Sequence, residues 1–392
     1  MLSCNFKKII NIIWQSALIS IIVILLVCPL SCCVSAEGIK IIRGEADSPK
    51  LEKFTVIDNK HMKFNFSENV ILKDVTIVSK DIFEKLKNLE NNYSKESEVE
   101  DSMFDESENI SILENNSIYY SNSPTENKGE IIVEFSESTE IGNSYVITGV
   151  VEDKNGNTLV FSLPFSGYNN KIPLMAITEV LPEYGLASKK DNTYRCEYVK
   201  LKALEDGNLF GLVIGSATNK KEKDYYFPAI KIAKGEEVIV HFRKKGNGCI
   251  SEMENNLNLS TAPHSGRNIR DLWLENTESA FSDDYDVIYL RDNINNNYMD
   301  GFMYINTKNK SEWSDIINDK VQELVSAGIF STGDITEACE ERLVTPKNVF
   351  FRKKIPEVLN NKAEETDGLD SSNNTNRQFK FSKEDWTIVK KS

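Results

Sequence analysis

Short runs of alternating apolar and polar residues, separated by turn-forming residues, set the strongest limit on how this chain folds. Met62-Lys63-Phe64-Asn65-Phe66-Ser67 repeats every two residues, which puts Met62, Phe64 and Phe66 on one side of an extended strand. Residues 75–78, 131–135, 145–148 and 158–163 follow the same rule. Between the last two stands Asp153-Lys154-Asn155-Gly156-Asn157, whose central Asn-Gly is a strong hairpin signal. A second series predicts strands over 176–181, 197–201, 209–214, 237–242, 286–290 and 301–305, punctuated by Pro228 and by Lys234-Gly235-Glu236. Many short strands with regular turns predict a mainly β chain of two tandem sandwiches.

Two segments change period. Ile82, Phe83, Leu86 and Leu89 share a helical face over 79–90, with Ser79 as cap. Over 311–328, Trp313, Ile316, Ile317, Val321, Leu324 and Val325 make a stripe that must cover something, most simply a sheet face, and Gly328 follows as C-cap. Residues 91–129 are acidic, with sparse and aperiodic apolar residues, and read as an exposed insertion. Residues 251–282 read as a long polar loop over the second sandwich. Residues 360–377 read as a polar tail, before Phe379, Phe381 and a docking strand at 386–389.

The first 36 residues address the chain. Lys7 and Lys8 precede an apolar run from Ile9 to Val27, Pro29 breaks it, and Val34-Ser35-Ala36 offers small residues before a cut. This is the layout of a secretory signal peptide, with cleavage after Ala36 favoured over an uncleaved membrane anchor. Leu30-Ser31-Cys32-Cys33 resembles a bacterial lipobox, with Cys32 standing where a small residue is usual and Pro29 where leucine is. That resemblance implies lipidation at Cys32 or Cys33; the other reading is two apolar cysteines in a discarded leader. The protein is therefore read as exported, to the periplasm or cell surface, with any membrane contact made through a lipid anchor or an uncleaved signal. Losing the leader takes the formal charge from −14 to −16, which disfavours nucleic acid as a partner.

Four of the seven cysteines lie in the leader, leaving Cys196, Cys249 and Cys339. A Cys196–Cys249 disulfide and three free thiols are both open readings. No cofactor or metal motif stands out, since P-loop, GxSxG, HExxH and CxxC are absent from the sequence. Asp283, Asp284, Asp286 and Asp292 carry oxygens suited to calcium, but their spacing is not that of an EF-hand, and a solvated negative loop is the plainer reading. His264 and Arg267 in the long loop are the residues that a metal-assisted phosphoesterase over 251–292 would use. With no second base or metal cluster beside them, that is the alternative to a non-catalytic protein. Trp273, with its large amphipathic ring, is the preferred surface anchor, so Trp273, His264 and Arg267 form the candidate binding surface.

Two resemblances sharpen the fold. Phe64-Asn65-Phe66-Ser67-Glu68-Asn69-Val70, Gly142-Asn143-Ser144-Tyr145 and the 153–157 turn resemble bacterial Ig-like domains. From Ile177-Thr178-Glu179-Val180-Leu181-Pro182 and Glu197-Tyr198-Val199-Lys200-Leu201, through Tyr226-Phe227-Pro228 and Asp286-Val287-Ile288-Tyr289-Leu290, to Arg352 and Asp385-Trp386, the chain resembles bacterial lamin-tail domains. Together they imply two tandem Ig-like β-sandwiches with a C-terminal helix and a polar tail. The division is a leader (1–36), an Ig-like domain (37–172), a lamin-tail-like sandwich (173–305) and a helix with tail (306–392). The resemblance implies a binding, adhesion or anchoring module with an unknown protein or cell-envelope partner.

Overall fold

A computed structural model describes residues 48–93, 120–124, 129–218, 223–306, 312–340, 345–362 and 375–391. The cleavage site at Ala36, both candidate lipidation cysteines and most of the acidic insertion lie outside the described residues. Two compact units meet between Tyr168 and Asn169.

The first unit runs β1 (Leu51–Val56), β2 (His61–Phe66), β3 (Val70–Ser79), α1 (Lys80–Tyr93), β4 (Tyr120–Pro124), β5 (Glu130–Phe135), β6 (Ser144–Asp153) and β7 (Thr158–Ser166). One sheet has the order β1-β2-β5-β4 and the other β3-β6-β7. This is the strand order of a constant-type Ig sandwich. The predicted alternation supplies its core: Met62, Phe64, Phe66, Val133 and Phe135 from one sheet meet Val75, Ile77, Ile147 and Phe161 from the other. Phe64 and Phe161 face each other with ring centroids 5.3 Å apart. Gly149 makes this contact fit, because a Cβ there would stand 2.5 Å from the Phe161 ring. Tyr145, at the start of β6, takes a hydrogen bond from the Glu140 N–H on its hydroxyl at 2.9 Å, the tyrosine-corner device of such sandwiches. Ser79 accepts from the Ile82 N–H and so caps α1 as expected. The acidic stretch read wholly as an exposed insertion contributes β4, which pairs along β5 from Tyr120↔Phe135 to Pro124↔Ile131.

The second unit runs β8 (Met175–Leu181), β9 (Gly185–Ser188), β10 (Thr193–Arg195), β11 (Tyr198–Ala203), β12 (Gly207–Asn208), β13 (Leu212–Ser216), β14 (Tyr225–Tyr226), β15 (Lys231–Ile232) and β16 (Glu237–His241). It continues with β17 (Arg270–Trp273), β18 (Tyr285–Asp292), β19 (Asn297–Ile305), α2 (Asp315–Ser326), β20 (Cys339–Glu340), β21 (Asn348–Arg352), β22 (Val358–Lys362), β23 (Thr375–Phe379) and β24 (Trp386–Lys390). A six-stranded sheet ordered β17-β16-β11-β8-β21-β24 and a five-stranded sheet ordered β14-β13-β18-β19-β20 share one core. The chain is mainly β, as its period-two pattern requires.

The C-terminal segment is built into this sandwich. β21 pairs with β8 on one side and β24 on the other. Arg352 on β21 and Asp300 on β19 are both fully buried and meet at 2.6 Å, tying one sheet to the other. Asp300 also accepts from the Ile177 N–H at 2.8 Å. The tail read as polar contributes the β22–β23 hairpin, in register from Val358↔Phe379 to Lys362↔Thr375.

α2 buries Ile317, Val321 and Leu324. Ile316, counted in the same stripe, is 71% exposed, because it lies about 100° round the helix from Ile317. Gly328 has φ +82 and ends the helix, with Gly328 N–H on the Val325 carbonyl and Ile329 N–H on the Leu324 carbonyl, a Schellman motif. Among the described residues no helix is long and apolar enough to cross a membrane.

Candidate functional site

A cluster of buried polar side chains in the second unit lies on the outward face of the six-stranded sheet. Register places Tyr198 opposite His241 and His241 opposite Trp273, one residue from each of β11, β16 and β17. The next row holds Lys200, Glu179 and Asp271. Residues 251–269 form a roof over the β17 end of this face.

Trp273 is therefore not a surface anchor. It is 3% exposed, because it lies in a strand rather than a loop and is covered from both sides. Its ring stacks on His241 at 3.8 Å and 6°, and its Nε1–H donates to Ser260 Oγ in the roof at 3.2 Å. His241 and Asp271 are fully buried and joined at 2.7 Å from Nε2 to Oδ1. Burial holds the imidazole below its ordinary range despite the neighbouring carboxylate, and burial also holds Asp271 above the usual carboxylate range. Asp271 also accepts from the Gly266 N–H at 3.0 Å.

His264 sits in the roof at φ +71, edge-on to the Tyr198 ring at 5.6 Å. Burial, reinforced by the charge of Arg195, pushes its pKa down to about 4. Neither of its ring nitrogens has a hydrogen-bond partner among the described residues. Arg267 is exposed three residues on. No hydrogen bond or ion pair among the described residues joins it to His264.

The roof does a second job. The outward backbone groups of β17 are all taken by two of its residues. Asp271 N–H donates to Glu252 Oε2 at 2.8 Å, and Asp271 C=O accepts from Glu252 N–H at 2.9 Å. Trp273 N–H donates to Ser251 Oγ at 2.9 Å, and the Ser251 hydroxyl returns to Trp273 C=O at 3.5 Å. Glu252 is fully buried, and its Oε1 accepts from the Leu259 and Ser260 N–H groups. Ser251 and Glu252 thus imitate a neighbouring strand and close this edge of the sheet.

Two of the four aspartates weighed as calcium ligands, Asp286 and Asp292, are taken up by neighbouring hydroxyls and backbone N–H groups. Asp286 is fully buried and accepts from the hydroxyls of Ser216 and Thr218 and from the Ser282 N–H. Asp292 accepts from the Ile294 and Asn295 N–H groups. Among the described residues no group of three or more His, Cys, Asp or Glu side chains is placed to share a metal ion. Cys196, Cys249 and Cys339 are free thiols. Cys196 is buried beside Trp273 with Cys249 packed against the same cluster, and burial pushes Cys196 up to about 12.

A family model described as TP_1001_2nd, protein second domain, matches residues 173–388, more than half of the chain. The chain belongs to this family. The TP_1001-type domain takes in the roof, α2 and both sheets as far as the middle of β24, so the C-terminal helix and most of the tail fall within it. One relative, an uncharacterized protein of Treponema pallidum (strain Nichols), is 29% identical over 176 residues, which are 45% of this chain and 42% of that protein. The match thus spans less than half of the relative's length. Among solved structures, the N-terminal part of the bacterial S-layer protein SbsC is 14% identical, with 66% of this chain and 44% of that chain covered and a TM-score of 0.22. A DUF4876 family protein from Bacteroides thetaiotaomicron VPI-5482 is 10% identical, with 82% and 91% covered and a TM-score of 0.27. The fold of the TP_1001-type domain rests on its own strand order rather than on likenesses of this size.

Proposed function

We propose that the protein is an exported, non-catalytic β-sandwich module that works by binding or anchoring at the cell envelope. One observation carries the reading. The side chains with most chemical potential, His241 and Asp271, are fully buried and occupied with each other beneath a roof that closes a sheet edge. A reacting pair needs a path for substrate to within hydrogen-bond reach; here that space is filled by Trp273 and the roof. The leader sequence supports export. The stacking of Arg352 over Trp386 at 5.2 Å supports the lamin-tail reading of the second unit.

A broad phosphoester panel separates this reading from the phosphoesterase that the 251–292 loop suggested. The expected result is no turnover above buffer. Turnover that disappears in both His264→Ala and Arg267→Ala would reverse the assignment. The mass of the mature N-terminus tests the address: a start at Glu37 supports cleavage, a lipidated cysteine an anchor, and an intact Met1 a retained signal.

A further inference from the structure

The two edges of the six-stranded sheet are treated differently. The β17 edge is closed by Ser251 and Glu252, as described above. At the other edge stands β24, with no further strand beside it among the described residues. Lys353 N–H bonds to the Asp385 carbonyl and Lys391 N–H to the Lys347 carbonyl, so the odd-numbered residues of this segment turn their backbone groups towards β21. The even-numbered residues turn theirs outward. Trp386 N–H is taken by the Lys383 carbonyl. The Trp386 C=O and both backbone groups of Ile388 and Lys390 are left facing the edge.

Beneath this edge the sandwich gapes. A cleft of about 580 Å³ opens between β20 of one sheet and β24 of the other, lined by Ile305, Phe350, Trp386 and Ile388 but also by the charged Glu340, Lys383 and Glu384. The buried Nε1–H of Trp386, in the cleft wall, has no acceptor among the described residues. The β17 edge is covered along its length, whereas β24 carries a single exposed charge, Lys390, at its end and leaves the ladder before it uncovered among the described residues. An open ladder over a cleft with an apolar wall is the arrangement used for strand addition, in which backbone bonds give affinity and alternate side chains fill pockets.

We propose that β24 accepts an extended segment of another protein as a seventh strand of this sheet. The inference rests on the binding-module reading and names the partner's chemistry. A guest residue opposite Ile388 shares its face and enters the cleft, so it is apolar. The guest residue opposite exposed Lys390 is on the same face at the rim, where opposite charge is favoured across strands, so it is acidic.

The test uses the full chain and labelled seven-residue peptides with an acid and an apolar residue two positions apart, such as Ser-Glu-Thr-Leu-Thr-Val-Ser and its reversed order. Binding is read by fluorescence anisotropy. Ile388→Pro removes one outward N–H without costing a bond to β21, so, set against Ile388→Ala, which loses the same side-chain packing but keeps the N–H, its peptide affinity is lower by about tenfold or more. N-methylating alternate peptide amides abolishes binding. Lys390→Glu weakens the acidic peptides and favours versions carrying lysine at that position. Flat titrations of every peptide up to about 1 mM, or binding indifferent to Ile388→Pro, overturn the proposal. So does a dimer of the protein that Ile388→Pro dissolves, which would assign the edge to a second copy. Flat titrations without phosphoester turnover sink strand addition alone; turnover sinks the binding-module reading itself.

Discussion

Replacing Arg352 by alanine should be among the most damaging single changes in the second unit. Arg352 and Asp300 are both fully buried, and their contact joins β21 to β19 across the core. Arg352 Nη1 also donates to the Ile177 carbonyl at 3.1 Å. Without the guanidinium, the Asp300 carboxylate keeps, among the described residues, the Ile177 and Gly301 N–H groups as partners. Breaking a buried pair from one side costs about 3–5 kcal/mol, because a charge is left behind in a poor solvent. Against a typical stability of about 5–15 kcal/mol this is a large share. For a unit of this size it corresponds to a melting temperature lower by roughly 6–20 °C. Urea unfolding followed by tryptophan fluorescence, to which Trp386 against Arg352 contributes, measures the loss.

The sign of the pH dependence gives a second check. Burial already raises Asp300 above the ordinary carboxylate range, and losing Arg352 raises it further. A carboxyl that binds its proton more tightly when folded gains stability as pH falls through its raised pKa. The deficit of Arg352→Ala should therefore shrink in acid. The double variant Arg352→Met with Asp300→Asn should recover much of the loss, since neither side is left charged. A cost below about 1 kcal/mol, or a double variant no better than the single one, would refute the reasoning.

Further outcomes follow from the roof, the first sandwich and the thiols. His264 titrates at about 4 when folded against about 6.5 unfolded, so stability is full above pH 6.5 and falls towards pH 4. At pH 5 the loss is about 2 kcal/mol, and His264→Asn, which tolerates the positive φ, should flatten the pH–melting profile by that amount. Tyr145→Phe deletes the hydroxyl that holds the Glu140 N–H and should cost the first unit about 1 kcal/mol in chemical denaturation. Alkylation of the native protein should label Cys249, which is half-buried, well before buried Cys196 and Cys339. A mass about 2 Da low, with Cys196 and Cys249 both unreactive until reduction, would instead establish the disulfide.

What the sequence made legible was whatever alternation or helical period encodes locally. The Met62–Phe64–Phe66 face, the 153–157 turn and the Ile317–Val321–Leu324 stripe depend only on neighbours a few residues apart. β17 was invisible because Arg270 and Asp271 break the apolar alternation, and their burial is supported by roof contacts about 20 residues upstream. The same concealment made Trp273 look like a loop residue. The His241–Asp271 pair is set by a parallel pairing of β16 with β17, whose spacing nothing in either segment announces. Arg352 gave a partial signal through its resemblance to a closing arginine, but its partner Asp300 is fixed by how two sheets stack. β22 and β23 carry few apolar residues, and their pairing shows only once the chain is folded back.

The account turns on one sheet with a closed edge and an open one, and residue-resolved amide hydrogen exchange of the free protein tests it most directly. The Asp271 and Trp273 amides should exchange slowly, held by Glu252 and Ser251, whereas the Ile388 and Lys390 amides should exchange fast, beside protected neighbours Thr387 and Val389. Slow exchange at Ile388 and Lys390, or fast exchange at Asp271 and Trp273, would contradict it.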